Sequence, residues 1–68
     1  MKLSWSACGA EIGDKIYNQH TGKIGIVIKK WQSGNYTLLY VDYGNKNLTK
    51  INPLDDAQVR HNYFKVLN

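Results

Sequence analysis

The chain has 68 residues, of which 43% are hydrophobic and 21% are charged. This length allows one small domain with a thin core, and the composition is that of a folded protein rather than of a disordered chain. Nine Lys and Arg residues against five Asp and Glu residues give a formal net charge of +4. Such an excess favours an anionic partner, and it serves solubility equally well.

Cys8 is the only cysteine, so an internal disulfide is excluded and a reducing compartment is favoured. No apolar run approaches the roughly 20 residues that cross a membrane as a helix. The first residues, MKLSWSACGAEIG, lack the pattern of a signal peptide. We therefore expect a cytoplasmic protein without membrane contact. The starting Met and the lack of linkers favour a single free-standing domain over residues 1–68.

Short β-rich runs separated by turn signals follow one another along the chain. The first two runs are Asp14–Asn18 and Lys23–Trp31, on either side of the turn signal at residues 20–22. Both faces of the second run are apolar at its centre, which is typical of a long strand between the two layers of a barrel. Alternation predicts one face with Ile24, Ile26 and Ile28, and an opposite face with Gly25, Val27, Lys29 and Trp31.

The third run, Tyr36–Tyr43, follows a four-residue loop that suits a β-hairpin. Trp31 and Tyr36 flank this loop, so we expect them to lie near each other across the hairpin. The fourth run is Asn47–Ile51, in which Leu48 alternates with Lys50. In the third run, alternation predicts one face with Tyr36, Leu38 and Tyr40, and the other with Thr37, Leu39 and Val41.

A helix start follows at Asn52–Asp56, because Asn caps helices, Pro suits their first position and acidic residues suit their first turn. A helical turn that ends near Arg60 leaves Tyr63–Leu67 as a closing strand, and a helix that continues to Leu67 is the alternative. With turn signals every 8–12 residues, the sequence predicts an all-β fold. We expect a small five-stranded SH3-like barrel with a short helical turn before the last strand.

Two stretches resemble a known family over roughly Ile12–Leu54. Residues 13–16 and 21–27 resemble the opening of KOW and Tudor-type domains. The stretch Tyr40–Asn45, YVDYGN, followed by Leu48 and residues 51–54, resembles the second half of a Tudor domain. The resemblance implies an SH3-like barrel. The same six residues are equally explained as a strand that runs into a hairpin turn without any ligand.

The resemblance to Tudor domains also implies a peptide pocket, since their aromatic cage holds a methylated Lys or Arg side chain. Tyr40 and Tyr43 would be two walls of such a cage, and Asn45 would be its hydrogen-bonding group. The remaining walls fall near His20 and near residues 23–24, with Tyr17 as a substitute. This gives one candidate function, a peptide-binding module with a pocket formed by Tyr17, His20, Tyr40, Tyr43 and Asn45.

Lysines beside aromatic residues favour a different candidate function. Lysines neutralise phosphates, and an aromatic ring stacks on a base for roughly 1–3 kcal/mol. We therefore expect first a non-enzymatic, nucleic-acid-associated binding module, and the oligomeric state remains open, including a small homo-oligomeric interaction protein. The predicted nucleic-acid-binding residues are Trp31, Tyr36, Tyr40, Lys29, Lys30, Lys46 and Lys50.

Catalytic and metal sites are not predicted. Cys8, His20 and His61 lack the spacing of metal ligands. Asp55 and Asp56 are explained as residues of a helix start. We therefore expect no enzymatic activity, no metal and no cofactor.

Overall fold

The structure is a computed structural model that describes residues 2–4, 7–34, 36–53 and 62–67. In these ranges five antiparallel strands form one sheet with the order β4-β3-β2-β1-β5. Each predicted run contains a strand, so the all-β prediction is confirmed. The strands are β1 Lys15–Asn18, β2 Lys23–Ser33, β3 Tyr36–Asp42, β4 Leu48–Ile51 and β5 Tyr63–Lys65.

The sheet is not closed into a barrel, which corrects that part of the prediction. Closure needs a pairing between β4 and β5, which lie at opposite ends of the strand order. The outer edge of β5 is instead paired with the N-terminal segment: the Ser4 N–H donates to the Lys65 carbonyl at 2.8 Å, and Leu3 forms a bridge with Val66. The strand at Tyr63–Lys65 excludes a helix that continues to Leu67. Of the helical turn predicted from Asn52 to near Arg60, residues 54–60 lie outside the described residues.

The core lies on one side of the sheet, here called the core face. Its central side chains are Ile16, Val27, Leu39 and Val41, which come from the three middle strands and are almost fully buried. Ala7 and Ala10 cover them from the N-terminal segment, and Ile51 closes the β4 side. The alternation predicted for the third run is confirmed, because Leu39 and Val41 are buried while Tyr36 on the opposite face is exposed.

A β-bulge in β2 changes the predicted facing of its second half. Val27 pairs with Val41, but the next pair is Lys29 with Tyr40, so one extra residue stands at Ile28. A shift of one residue moves every following side chain to the other face. Trp31, predicted on the face of Val27, therefore pairs with Leu38 on the side opposite the core, here called the outer face.

The turn that precedes β1 is tied to the sheet by Asp14. Its carboxylate accepts a hydrogen bond from the Glu11 N–H at 2.8 Å and lies 3.4 Å from the Lys65 ammonium. The Glu11 N–H lowers the pKa of Asp14, partial burial opposes this effect, and the Lys65 ammonium adds to the lowering. The charged form of Asp14 therefore stabilises the folded chain.

Replacement of Asp14 by Asn is expected to lower the free energy of unfolding by about 1 kcal/mol at about pH 7, because Asn keeps the size but loses the charge. The folded-state pKa of Asp14 lies below its unfolded value, so this contribution is complete above about pH 5 and is lost as the pH falls through the lowered pKa. Denaturant unfolding at several pH values measures it. A wild-type advantage that stays constant down to about pH 2 would contradict the assignment. Glu11→Gln is the control, since it breaks an exposed ion pair with Lys30 worth only a few tenths of a kcal/mol.

Candidate nucleic-acid interface

The outer face of the sheet carries a continuous set of apolar and aromatic side chains. Cross-strand partners share a face, so the register places every member except Ile28, the unpaired residue of the bulge, which is assigned to this face by its exposure. Ile24, Ile26 and Ile28 are 45%, 48% and 51% exposed, although β2 is the central strand. The outer face therefore leaves more apolar surface open than a sheet with one solvated side normally does. Its apolar and aromatic members are Tyr17, Ile24, Ile26, Ile28, Trp31, Tyr36, Leu38, Tyr40, Leu48 and Phe64.

Trp31 and Tyr36 meet across the β2–β3 hairpin, as the sequence predicted. Their ring centroids are 5.8 Å apart and their planes cross at 72°, an edge-to-face arrangement. Both side chains remain 46% exposed. The pair holds each ring in a fixed orientation and still leaves ring surface open to a ligand.

Tyr40 lies between two lysines on the same face. Its cross-strand partners are Lys29 on β2 and Lys50 on β4. The Lys29 ammonium lies 5.3 Å from the centroid of the Tyr40 ring, within the range of a cation–π contact. The outer face thus combines an aromatic ring with a positive charge on each side of it.

The other two predicted lysines lie elsewhere. Lys30 pairs with Leu39 on the core face, where its ammonium binds the Glu11 carboxylate at 2.9 Å. It lines an open cavity of about 220 Å³ there, together with Cys8 and Gln32. Lys46 lies in the β3–β4 turn with a positive φ of 62°. The structure therefore places Lys29 and Lys50 on the same face as the predicted aromatic residues, which are Trp31, Tyr36 and Tyr40. Lys30 lies on the opposite face.

Charge is divided unevenly between the two sides of the sheet. The carboxylates of Glu11 and Asp14 pair with Lys30 and Lys65 on the core face. On the outer face the strands place Lys29 and Lys50, together with Lys15 opposite Ile26. Among the described strand residues of this face, Asp42 is the one carboxylate. The outer face is therefore net positive.

Tyr43 lies on the core face, away from Tyr40. Its ring packs against the core and passes so close to Gly25 that a Cβ there would stand 2.8 Å from ring atom Cδ1. Its hydroxyl is buried and has no hydrogen-bond partner among the described residues. Burial, and then the neighbouring Tyr63, raise the pKa of Tyr43 well above its usual value.

The remaining residues of the predicted peptide pocket are also dispersed. Tyr17 lies on the outer face of β1, opposite Ile24 and Phe64. His20 is exposed in the β1–β2 turn, and Asn45 is exposed in the β3–β4 turn with φ 52°. The structure brings Tyr40 next to neither Tyr43 nor Tyr17, so the described residues do not assemble these rings into one cage.

The residues that sequence reasoning missed are the isoleucines of β2, with Leu38, Leu48 and Phe64. The sequence contained a signal for this apolar surface, because alternation placed Ile24, Ile26 and Ile28 on one face. That face was interpreted as one layer of a barrel interior, whereas the core occupies the other side.

The described residues contain no group of three or more His, Cys, Asp or Glu side chains that could hold a metal ion. In the same ranges, every helix falls short of the length and apolarity needed to cross a membrane.

Comparisons with protein-family models, with curated proteins and with solved structures give no significant match to this chain. The likeness to Tudor and KOW domains therefore remains a prediction that rests on the stretch YVDYGN and on residues 13–16 and 21–27.

Replacement of Tyr43 by Phe is expected to leave the free energy of unfolding unchanged or to raise it by up to about 1 kcal/mol, because the lost hydroxyl is buried without a partner. Tyr43→Ala removes a ring from the core and is expected to cost about 3 kcal/mol. Denaturant unfolding of both variants measures the two effects. A loss of more than about 1 kcal/mol in Tyr43→Phe would show that the hydroxyl has a partner in the folded protein.

Proposed function

We propose that this protein is a small non-enzymatic binding module that binds single-stranded nucleic acid on the outer face of its sheet, in the cytoplasm. The proposed interface consists of the rings of Trp31, Tyr36 and Tyr40 and the ammonium groups of Lys29 and Lys50. Lys46, in the adjoining β3–β4 turn, is proposed to contact phosphate at the margin.

The observation that carries the proposal is the position of Tyr40 between two lysines. A ring with a cation on each side offers a stacking surface for a base and a charge for the phosphates on both sides of it. The pair of Trp31 and Tyr36 lies further along the same face. Aromatic rings and lysines that were separate features of the sequence are thus neighbours in the sheet.

The dimensions suit a short stretch of single strand. Tyr36 and Tyr40 are four residues apart in one strand, which corresponds to about 13 Å. Sheets that bind RNA stack about two or three successive bases on aromatic residues over a comparable surface. A duplex keeps its bases stacked on each other, so it does not offer them to protein rings; this favours a single strand.

We propose further that the strand arrangement is the SH3-like one of Tudor and KOW domains, in an open sheet. The strand order supports this, because consecutive strands pair and the last strand returns to pair with the first. The one-sided core and the bulge in the long second strand support it as well, since bulges bend a sheet around its core.

Removal of either ring is expected to weaken binding. Trp31→Ala and Tyr40→Ala should each lose about 1–3 kcal/mol, equivalent to roughly 5- to 150-fold in Kd. Fluorescence anisotropy with a labelled mixed-sequence single strand at low salt measures the change. Ile12→Ala is the control, because Ile12 is 63% exposed in the turn before β1 and outside the interface. Equal affinities in all four proteins would overturn the proposal, and so would tighter binding of a duplex.

The salt dependence separates the two groups of lysines. Lys50→Gln is expected to reduce the slope of log K against log salt by about 0.7, the value for one phosphate contact with a single strand. Lys30→Gln should leave the slope unchanged, because Lys30 is bound to Glu11 on the core face. Titrations at four salt concentrations with each variant measure the slopes. A reduced slope in Lys30→Gln alone would place the phosphates on the core face.

A further inference from the structure

The first half of β2 presents an apolar surface that the proposed interface does not use. Ile24 and Ile26 lie on the outer face at 45% and 48% exposure, and their neighbours on β1 and β5 include Tyr17 and Phe64. Isoleucine has no ring for stacking and no charge for a phosphate. A contiguous apolar patch on the central strand of an open sheet is the usual mark of a protein interface.

One row of cross-strand neighbours runs over this surface from β4 to the residue that follows β5. The register pairs Ile26 with Lys15 on one side and with Asp42 on the other. Asp42 pairs in turn with Leu48 on β4. On the other edge the Val66 N–H donates to the Lys15 carbonyl at 2.9 Å, so Val66 follows β5 as the neighbour of Lys15. This row, here called the Ile26 row, is Val66–Lys15–Ile26–Asp42–Leu48.

The Ile26 row has the same chemistry on both sides of its centre, but with opposite charges. Isoleucine stands in the middle, one charged residue stands on each side of it, and an aliphatic residue stands beyond each charge. Lys15 and Asp42 are two strand spacings apart, about 10 Å, too far for a direct ion pair within one copy. Neither forms an ion pair with another described residue.

We propose that the outer face binds a second copy of this chain, in a dimer whose twofold axis runs parallel to β2 and lies above Ile26. This rotation exchanges β1 with β3 and β5 with β4. It places Lys15 of each copy opposite Asp42 of the other, Ile26 opposite Ile26, and Val66 opposite Leu48. Two sheets packed face to face lie about 10 Å apart with their strands nearly aligned, a distance that a lysine and an aspartate span together.

The balance of charges selects this axis: it forms two Lys15–Asp42 contacts and brings together one like-charged pair, Lys29 of the two copies. A twofold axis perpendicular to β2 would place Lys15 opposite Lys15 and Asp42 opposite Asp42, and such like-charge contacts are destabilising. An acidic partner would meet Asp42 with the wrong sign, and so would a nucleic acid. A second copy satisfies both charges of the row at once. An interface between identical surfaces has this self-complementary form.

The association is measured without nucleic acid, because a copy packed face to face also covers Trp31, which lies five residues beyond Ile26 in β2, about 16 Å away. Sedimentation equilibrium over a range of protein concentrations, without nucleic acid, measures the association. We expect a mass that rises from 7.8 kDa towards twice that value. A protein that stays at 7.8 kDa up to millimolar concentration would overturn the proposal.

Two single variants locate the interface. Ile26→Asp places a charge at the centre and is expected to weaken association more than a hundredfold, to a monomer in practice. Leu67→Asp is the matched control: Leu67 is 56% exposed, but it follows Val66 in the chain and so lies on the other side. It should leave the dimer intact. A dimer that tolerates Ile26→Asp, or one that Leu67→Asp dissociates, would place the contact elsewhere.

Charge reversal tests the axis. Lys15→Glu should weaken the dimer by about tenfold or more, because each of two symmetric contacts changes from attraction to repulsion. The double variant Lys15→Glu/Asp42→Lys should restore association, since the pairs are reversed but opposite again. Asp42 also accepts a hydrogen bond from the Gly44 N–H at 2.8 Å, so thermal melts must show that the double variant is folded. Tighter association in Lys15→Glu alone would indicate the perpendicular axis and overturn the proposal.

Discussion

The bulge between Val27 and Lys29 decides on which face of the sheet each side chain in the second half of β2 lies. Without the extra residue, Trp31 would share the face of Val27, and Lys30 would stand on the outer face. With it, Trp31 meets Tyr36 on the outer face at 5.8 Å and Lys30 reaches Glu11 on the core face at 2.9 Å. The position of Tyr40 between Lys29 and Lys50 also depends on the extra residue, Ile28, because the bulge brings Lys29 opposite Tyr40.

The small core explains why so much apolar surface remains on the outside. Among the described residues of the N-terminal segment, Ala7 and Ala10 cover the sheet, and they add little buried area beyond Ile16, Val27, Leu39 and Val41. A chain of this length buries only about 60% of the surface that it exposes when unfolded. The core also tolerates the buried Tyr43 hydroxyl without a partner among the described residues, at a cost. Covering Ile24 and Ile26 with a second copy would add to stability in the way that a second core layer does.

The strands, their order along the chain and the facing of β3 could all be predicted from the sequence, because alternation and turn residues are local signals. The bulge could not, since nothing in KIGIVIKKW marks where one residue is added, and the pairing with β3 decides it. The meeting of Trp31 with Tyr36 was predicted correctly from the short hairpin alone. The separation of Tyr40 from Tyr43 was not predicted, because both tyrosines belong to the short motif YVDYGN and were assigned to one pocket. In the structure the chain leaves β3 at Asp42, and Tyr43 packs over Gly25 on the core face. The place of the N-terminal segment on the β5 edge is a contact between the two ends of the chain, for which the sequence contains no local signal.

The two proposals have a geometric connection through the direction of β2. A twofold axis parallel to this strand leaves both copies of β2 running the same way, so the two β2–β3 hairpins project from the same end of the dimer. The aromatic and basic surfaces around Trp31 and Tyr40 of the two copies then face each other across the interface. A single strand that stacks on these rings and a second copy therefore compete for the same half of the outer face. Dimerisation and strand binding weaken each other, and the coupling free energy between the two binding equilibria has the same size in both directions.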